Sequence, residues 1–107
     1  DVYKRQDKRE TAACYAEFFK GKEDITFFTE PADCKSNYWL NAVVLKDKAA
    51  QLDFLEYTND HGVMTRPVWE LMNRLPMFEH CETDGLENTE WLADRVVNIP
   101  SSVRLDK

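Results

Sequence analysis

Arg66, Pro67, Val68 and Trp69 bring a permanent cation, a fixed backbone angle and the largest aromatic side chain into four consecutive positions. The guanidinium of Arg66 is a planar fork of donors that matches a phosphate or a carboxylate. The indole of Trp69 offers a flat apolar face to a ring. Pro67 suits the first turn of a helix, where its missing N–H costs nothing, and a helix starting there would add positive potential beside the arginine. Together these groups suit an anionic ligand that carries a ring, such as a nucleotide sugar. A plainer reading stands beside this one, in which Trp69 packs into the core and Arg66 pairs with a surface acid.

The other reactive side chains form no recognisable site. Cys14, Cys34, His61, His80 and Cys81 could ligate zinc, yet none makes a CxxC or HxxxH pair, and adjacent His80 and Cys81 chelate poorly. No metal is therefore expected. There is no GxSxG motif and no cysteine motif of a nucleophile with its base. His61, directly before Gly62, reads as an exposed helix-end residue favoured by the negative end of the dipole. Gly21, Gly62 and Gly85 are the only glycines, which excludes a phosphate loop or a dinucleotide fingerprint.

The 107 residues, 43% of them hydrophobic, are enough for one compact domain with a buried core. The net charge of −6 argues against nucleic-acid binding, which needs clustered cations. Lys4, Arg5, Lys8 and Arg9 are interrupted by acids and read as a solvated helix end. An odd set of three cysteines fits reduced thiols in the cytoplasm better than a disulfide scaffold. No apolar run approaches the ~18 residues of a membrane span, and the charged opening lacks the apolar region of a signal peptide. The chain opens on Asp1 rather than Met, which points to a processed chain or a piece of a longer reading frame.

The elements that must position these residues follow from periodicity. A helix is expected from about Asp7 to Lys20, with Ala12, Ala13, Tyr15, Ala16, Phe18 and Phe19 on its apolar face and Gly21 as its stop. Ile25 to Phe28 reads as a short strand, and Tyr38 to Leu45 as a central strand apolar on both faces. Asp47 caps a second helix to about Asp60 that buries Ala49, Leu52, Leu55 and Phe54, ended by His61 and Gly62. Val63 to Arg66 is a further strand, followed by a helix from Pro67 that stops before Pro76. Residues 79–86 are polar and irregular. Asn88 caps a last helix through Trp91, Leu92 and Ala93, and Val96 to Ile99 is a strand closed by Pro100. This mixture implies an α+β fold, a small few-stranded, mostly antiparallel sheet packed with helices, with no internal repeat.

The segments SNYWLNAVVL, GVMTRPVWELMNRLPMF and RVVNIPSS resemble, in order, the C-terminal region of DegT/StrS-type aminotransferases that use pyridoxal phosphate (PLP) and act on sugars. The Arg-Pro-x-Trp corner resembles their LegC-like branch, and the opening KRETAACYAEFF resembles the linker helix before the small domain. The resemblance implies the small domain of a fold-type I aminotransferase, residues 1–21 being the linker-type helix and residues 22–107 the small-domain sheet and helices. It implies amino transfer to a keto-sugar carried on a nucleoside diphosphate, with Arg66, Trp69, Asn37 and Tyr38 towards the substrate. The family's catalytic lysine, with its preceding serine and the aspartate that pairs with the pyridine nitrogen, belongs to the large domain, so no catalytic residue and no bound cofactor is expected here. The partners implied are the large PLP-binding domain and the nucleotide sugar, and a severed domain face would favour self-association. Two other readings remain, a free-standing acidic interaction module that keeps the fold without catalysis, and an unrelated α+β domain.

Overall fold

A computed structural model describes residues 2–103; residue 1 and residues 104–107, the two ends of the expected 1–107 domain, lie outside the described residues. Val2–Phe19 forms helix α1, a stretch free of Gly and Pro that ends before Gly21, whose φ of +82° favours glycine. Strand β1 (Ile25–Phe27) and strand β2 (Asn41–Leu45) follow, then helix α2 (Lys48–Asp60) and the two-residue strand β3 (Arg66–Pro67). A single 3-10 turn spans Met72–Arg74, helix α3 spans Glu87–Ala93, and strand β4 spans Val96–Ile99.

The strands make one antiparallel sheet in the order β1-β2-β4-β3. The expected α+β class with a small antiparallel sheet is thus the fold observed. At its centre Val43 faces Val97, and both are fully buried. Burying a valine of this kind contributes roughly 1.5–3 kcal/mol. Ile25, Phe27, Leu45 and Ile99 share that face, and Ala12, Tyr15, Ala16 and Phe19 of α1 and Ala50, Phe54 and Leu55 of α2 pack against it. Ala42, Val44, Val96 and Asn98 point to the opposite face and stay half-exposed.

Several sequence expectations are corrected. The central strand begins at Asn41, not Tyr38, because Tyr38 takes a φ of +49° in a turn where its N–H bonds Ser36 Oγ and the N–H of Trp39 bonds Asn37 Oδ1. Pro67 lies in strand β3 rather than opening a helix. It is tolerated there because β3 is an edge strand, and its missing N–H ends the ladder. Residues 68–71 carry no regular element, and only the 3-10 turn at Met72–Arg74 replaces the helix expected up to Pro76. The α3 cap position is Leu86 at φ +51°, so Asn88 lies inside the helix.

Helix α2 is capped as expected, Asp47 Oδ1 accepting from the N–H of Ala50 at 2.8 Å. Its buried face is different. Ala49 and Leu52 are exposed, and the inward residue is Gln51, fully buried, whose Nε2 donates to Ala93 O and Val96 O at 2.9 Å each. That amide ties α2 to the junction of α3 and β4, and its geometry sets the rotation of the helix. On α1, Ala13 and Phe18 likewise face out. Replacing Gln51 by Leu keeps the volume but strands two carbonyls, so Gln51→Leu is expected to lower stability by about 2 kcal/mol or more in chemical denaturation. An unchanged midpoint would show that the amide carries no stability.

Candidate functional site

Two adjoining clefts lie at one end of the sheet. The first, about 390 Å3, is lined by Val2, Lys4, Arg5 and Lys8 of α1 and by Asn37 and Trp39. The second, about 360 Å3, lies beside the ends of β3 and β4, where Arg66 and Met64 face Asn98, Ser101 and Ser102. Lys8 and Trp39 join the two, since both residues line both clefts. Among the described residues, no carboxylate lines either cleft.

Three anchors fix these walls. Arg9, one residue after Lys8, reaches across to Glu30 in a two-pronged contact, Nη1 to Oε1 at 3.0 Å and Nη2 to Oε2 at 2.9 Å. Arg9 Nη1 also donates to Ser36 O at 2.6 Å, and the N–H of Ser36 returns to Glu30 Oε1 at 2.7 Å. The N–H of Glu30 donates to Tyr38 Oη at 2.9 Å, and the guanidinium of Arg9 sits 5.5 Å from the Tyr38 ring centre. Secondly, Lys8 Nζ donates to Ser101 O at 2.6 Å and to Trp39 O at 3.2 Å. Thirdly, Ser101 Oγ accepts from the N–H of Asn41 at 2.8 Å and donates to Ile99 O at 2.7 Å.

The Arg9 fork, followed by the N–H of Ser36, holds the Glu30 carboxyl at about 2, below its ordinary 4.5. The same contact raises Arg9 above its usual value. Burial pushes the Tyr15 hydroxyl up, and that hydroxyl donates to Pro100 O at 2.7 Å.

Of the four residues expected in the site, Arg66 and Asn37 line the clefts. Arg66 is exposed, and its side chain makes no ion pair among the described residues. Tyr38 lines neither cleft; its ring and hydroxyl belong to the clasp on α1. Trp69 is 92% exposed and lines neither cleft, which overturns the reading that packs it into the core. The pairing of Arg66 with a surface acid is likewise not found among the described residues, and no helix begins at Pro67.

Sequence reasoning missed Lys4, Arg5, Lys8 and Trp39. Acids interrupt the cations along the chain, but Asp7 between them is buried, so the interruption does not reach the surface. The signal that could have found them is the spacing of Lys4 and Lys8, one helical turn apart on a common face. The three cysteines are free and exposed, and among the described residues no group of three or more His, Cys, Asp or Glu could hold a metal. No helix among the described residues is long and apolar enough to cross a membrane.

A model of the DegT/DnrJ/EryC1/StrS aminotransferase family matches residues 3–107. Among solved structures, the fold is similar to the sugar aminotransferase CalS13 from Micromonospora echinospora, at 24% identity and a TM-score of 0.77, over 95% of this chain and 27% of that one. It is similar to Helicobacter pylori PseC, an aminotransferase involved in the biosynthesis of pseudoaminic acid, at 18% identity and a TM-score of 0.83, over 95% and 28%. It is also similar to E. coli GDP-4-keto-6-deoxy-D-mannose-3-dehydratase with bound hydrated PLP, at 15% identity and a TM-score of 0.76, over 96% and 28%. The chain therefore spans only 27–28% of the length of these structures. No curated protein matches it.

PLP chemistry needs a lysine and a carboxylate that faces the pyridine nitrogen. Lysines line both clefts and a third one at Lys20 and Lys22, but none of the three is lined by Asp or Glu. The described residues do not fit that cofactor by themselves.

A lowered carboxyl pKa stabilises the fold above the unfolded value and ceases to do so as pH falls through the folded one. The Glu30 contribution is therefore complete above pH 4.5 and is lost on the way down through about 2. Thermal melts at stepped pH should show a steeper fall in Tm for the parent chain than for Glu30→Gln across that window. Parallel curves would remove the clasp from the acid response.

Proposed function

The chain belongs to the DegT/DnrJ/EryC1/StrS aminotransferase family, and we propose that it is the small C-terminal domain of a PLP-dependent aminotransferase of the LegC-like branch. In this reading the complete enzyme aminates a nucleotide-linked keto-sugar in the cytoplasm, for amino sugars of cell-surface polysaccharides. The observation that carries it is the fold match, 95% of this chain on 27% of a sugar aminotransferase, at a TM-score of 0.77. Residues 1–21 serve as the linker helix and residues 22–107 as the small domain. The large PLP-binding domain is the missing partner, and it supplies the lysine, so this chain alone is inactive.

The part left to these residues is to bind and orient. Arg66, free of any ion pair among the described residues and set beside Lys8 and Asn98, meets an anionic portion of the sugar nucleotide. Asn37 lines the adjoining cleft, and Tyr38 positions it through the clasp. Trp69 reaches a ligand once a partner domain covers the corner.

A second reading, a free-standing acidic interaction module, is favoured by the exposed apolar surface, with Trp69 at 92% and Trp39 at 67% exposure. Both readings entail self-association of the isolated chain, because open faces of this kind seek cover. Sedimentation at high concentration distinguishes neither reading, but a strictly monomeric chain would count against both.

The assay that tests the first reading is turnover of a keto-sugar nucleotide with PLP and glutamate. The chain alone should give none, and Arg66→Ala in the complete enzyme should raise KM about tenfold or more with kcat little changed, as for the loss of a charge-assisted hydrogen bond. Turnover by the isolated chain would overturn the reading, and unchanged kinetics in the variant would remove Arg66 from the site.

A further inference from the structure

The segment between Arg74 and Arg95 carries Glu79, Glu82, Asp84, Glu87, Glu90 and Asp94 and no lysine or arginine. None of these acids joins an ion pair among the described residues. The potential over this stretch is therefore negative and draws cations from solution. Charge alone would only gather counterions, but here it borders a shaped cleft.

The cleft has a volume of about 310 Å3, at the lower end of the range for small-molecule sites. Met72, Phe78 and Leu86 give it apolar walls, and Asn73 and Glu82 stand among its polar lining. No lysine or arginine of the described residues lines it. Turn hydrogen bonds hold the walls: the N–H of Phe78 donates to Leu75 O at 2.9 Å, that of Cys81 to Phe78 O at 3.0 Å, and that of Leu86 to Asp84 Oδ1 at 3.1 Å. Asn73 Oδ1 is buried without a hydrogen-bond partner among the described residues. A buried acceptor left unpaired is costly, so a donor that reaches it from the cleft gains by doing so.

These features together select one chemistry. An alkyl chain covers the apolar walls and leaves water as it does so. A primary ammonium at its end carries three N–H donors and no acceptor, enough for both Asn73 Oδ1 and the Glu82 carboxylate. An anion is repelled by Glu82. A neutral alcohol leaves that carboxylate uncompensated, and a quaternary ammonium has the charge but no N–H.

We propose that this cleft is a binding site for a small aliphatic primary amine. It shares no lining residue with the two clefts at the end of the sheet and needs no aminotransferase chemistry, so it stands or falls apart from the function proposed above.

The test is titration of the chain with n-pentylamine at neutral pH and low salt, followed by amide chemical shifts. Saturable shifts centred on residues 72–86 are expected, with weaker binding at high salt because exposed charges are screened. Pentanol lacks the charge and pentyltrimethylammonium lacks the N–H groups, so each should bind about tenfold more weakly, the scale of hydrogen bonds to charged groups. Glu82→Gln, at an exposed position, should weaken the amine about threefold, the scale of exposed ion pairs, and leave pentanol unchanged. Asn73→Ala should weaken the amine about tenfold. Absence of saturable shifts, or shifts centred elsewhere, would overturn the proposal. So would a control ligand that binds as tightly as the amine, or a Glu82→Gln chain with the parental fold and the parental affinity. The titration involves no keto-sugar and no PLP, so its failure and that of the aminotransferase assay are separate results.

Discussion

The contact between Arg9 and Glu30 is the constraint on which the site depends. Residues 28–40 contain no strand or helix, and beyond Phe28, whose N–H donates to Ala42 O at 2.9 Å, no ladder of backbone hydrogen bonds fixes them. They are held to α1 by the guanidinium of Arg9, which grips both oxygens of Glu30 and the carbonyl of Ser36, and by Lys8 Nζ on the carbonyl of Trp39. A two-pronged arginine contact fixes orientation as well as distance. Glu30 Oε1 is used again by the N–H of Ser36, so the loop closes on itself around the same carboxylate. Asn37 and Trp39 follow within three residues of Ser36, and their place over α1 is a consequence of that closure.

The sheet supplies the other half of the frame. Strands β2 and β4 form its centre, and the buried pair Val43 and Val97 holds their register. Just beyond the end of β4, Ser101 bonds Asn41 of β2 through its hydroxyl and Lys8 of α1 through its carbonyl. Helix, loop and sheet therefore converge on Lys8 and Ser101, where the two clefts meet. The edge strand β3 adds Arg66 to the second cleft, and Pro67 ends the pairing there. Thr65, buried beside β3, is held by Thr58 Oγ1 at 2.6 Å and by Asn59 Nδ2 at 3.0 Å, which links the corner to the end of α2.

What the sequence made legible was the order of elements, because apolar spacing, the Asp47 cap and the glycine stops act locally. The α+β class follows from that order. What it hid depends on groups far apart in the chain. Gln51 occupies the inward position of α2 although it is polar, since its partners are the carbonyls of Ala93 and Val96, 42 and 45 positions away. Pro67 carries a helix-start signal and a strand-edge signal alike, and only the place of β3 at the sheet edge decides between them. Arg66 was visible as a permanent cation beside Pro67 and Trp69, whereas Asn37 entered only through the family resemblance. Lys4, Arg5 and Lys8 looked neutralised because sequence proximity to acids is not surface proximity. Trp69 drew attention by its type, and its exposure reflects a segment that joins no strand after Pro67.

The central claim is that this chain provides a binding face to a larger enzyme whose lysine lies elsewhere. The most direct measurement is the sequence of the genomic DNA upstream of the codon for Asp1. The account predicts an in-frame region that encodes a lysine-bearing cofactor domain. A start codon immediately upstream, preceded by an in-frame stop, would contradict it and make the chain a free-standing module.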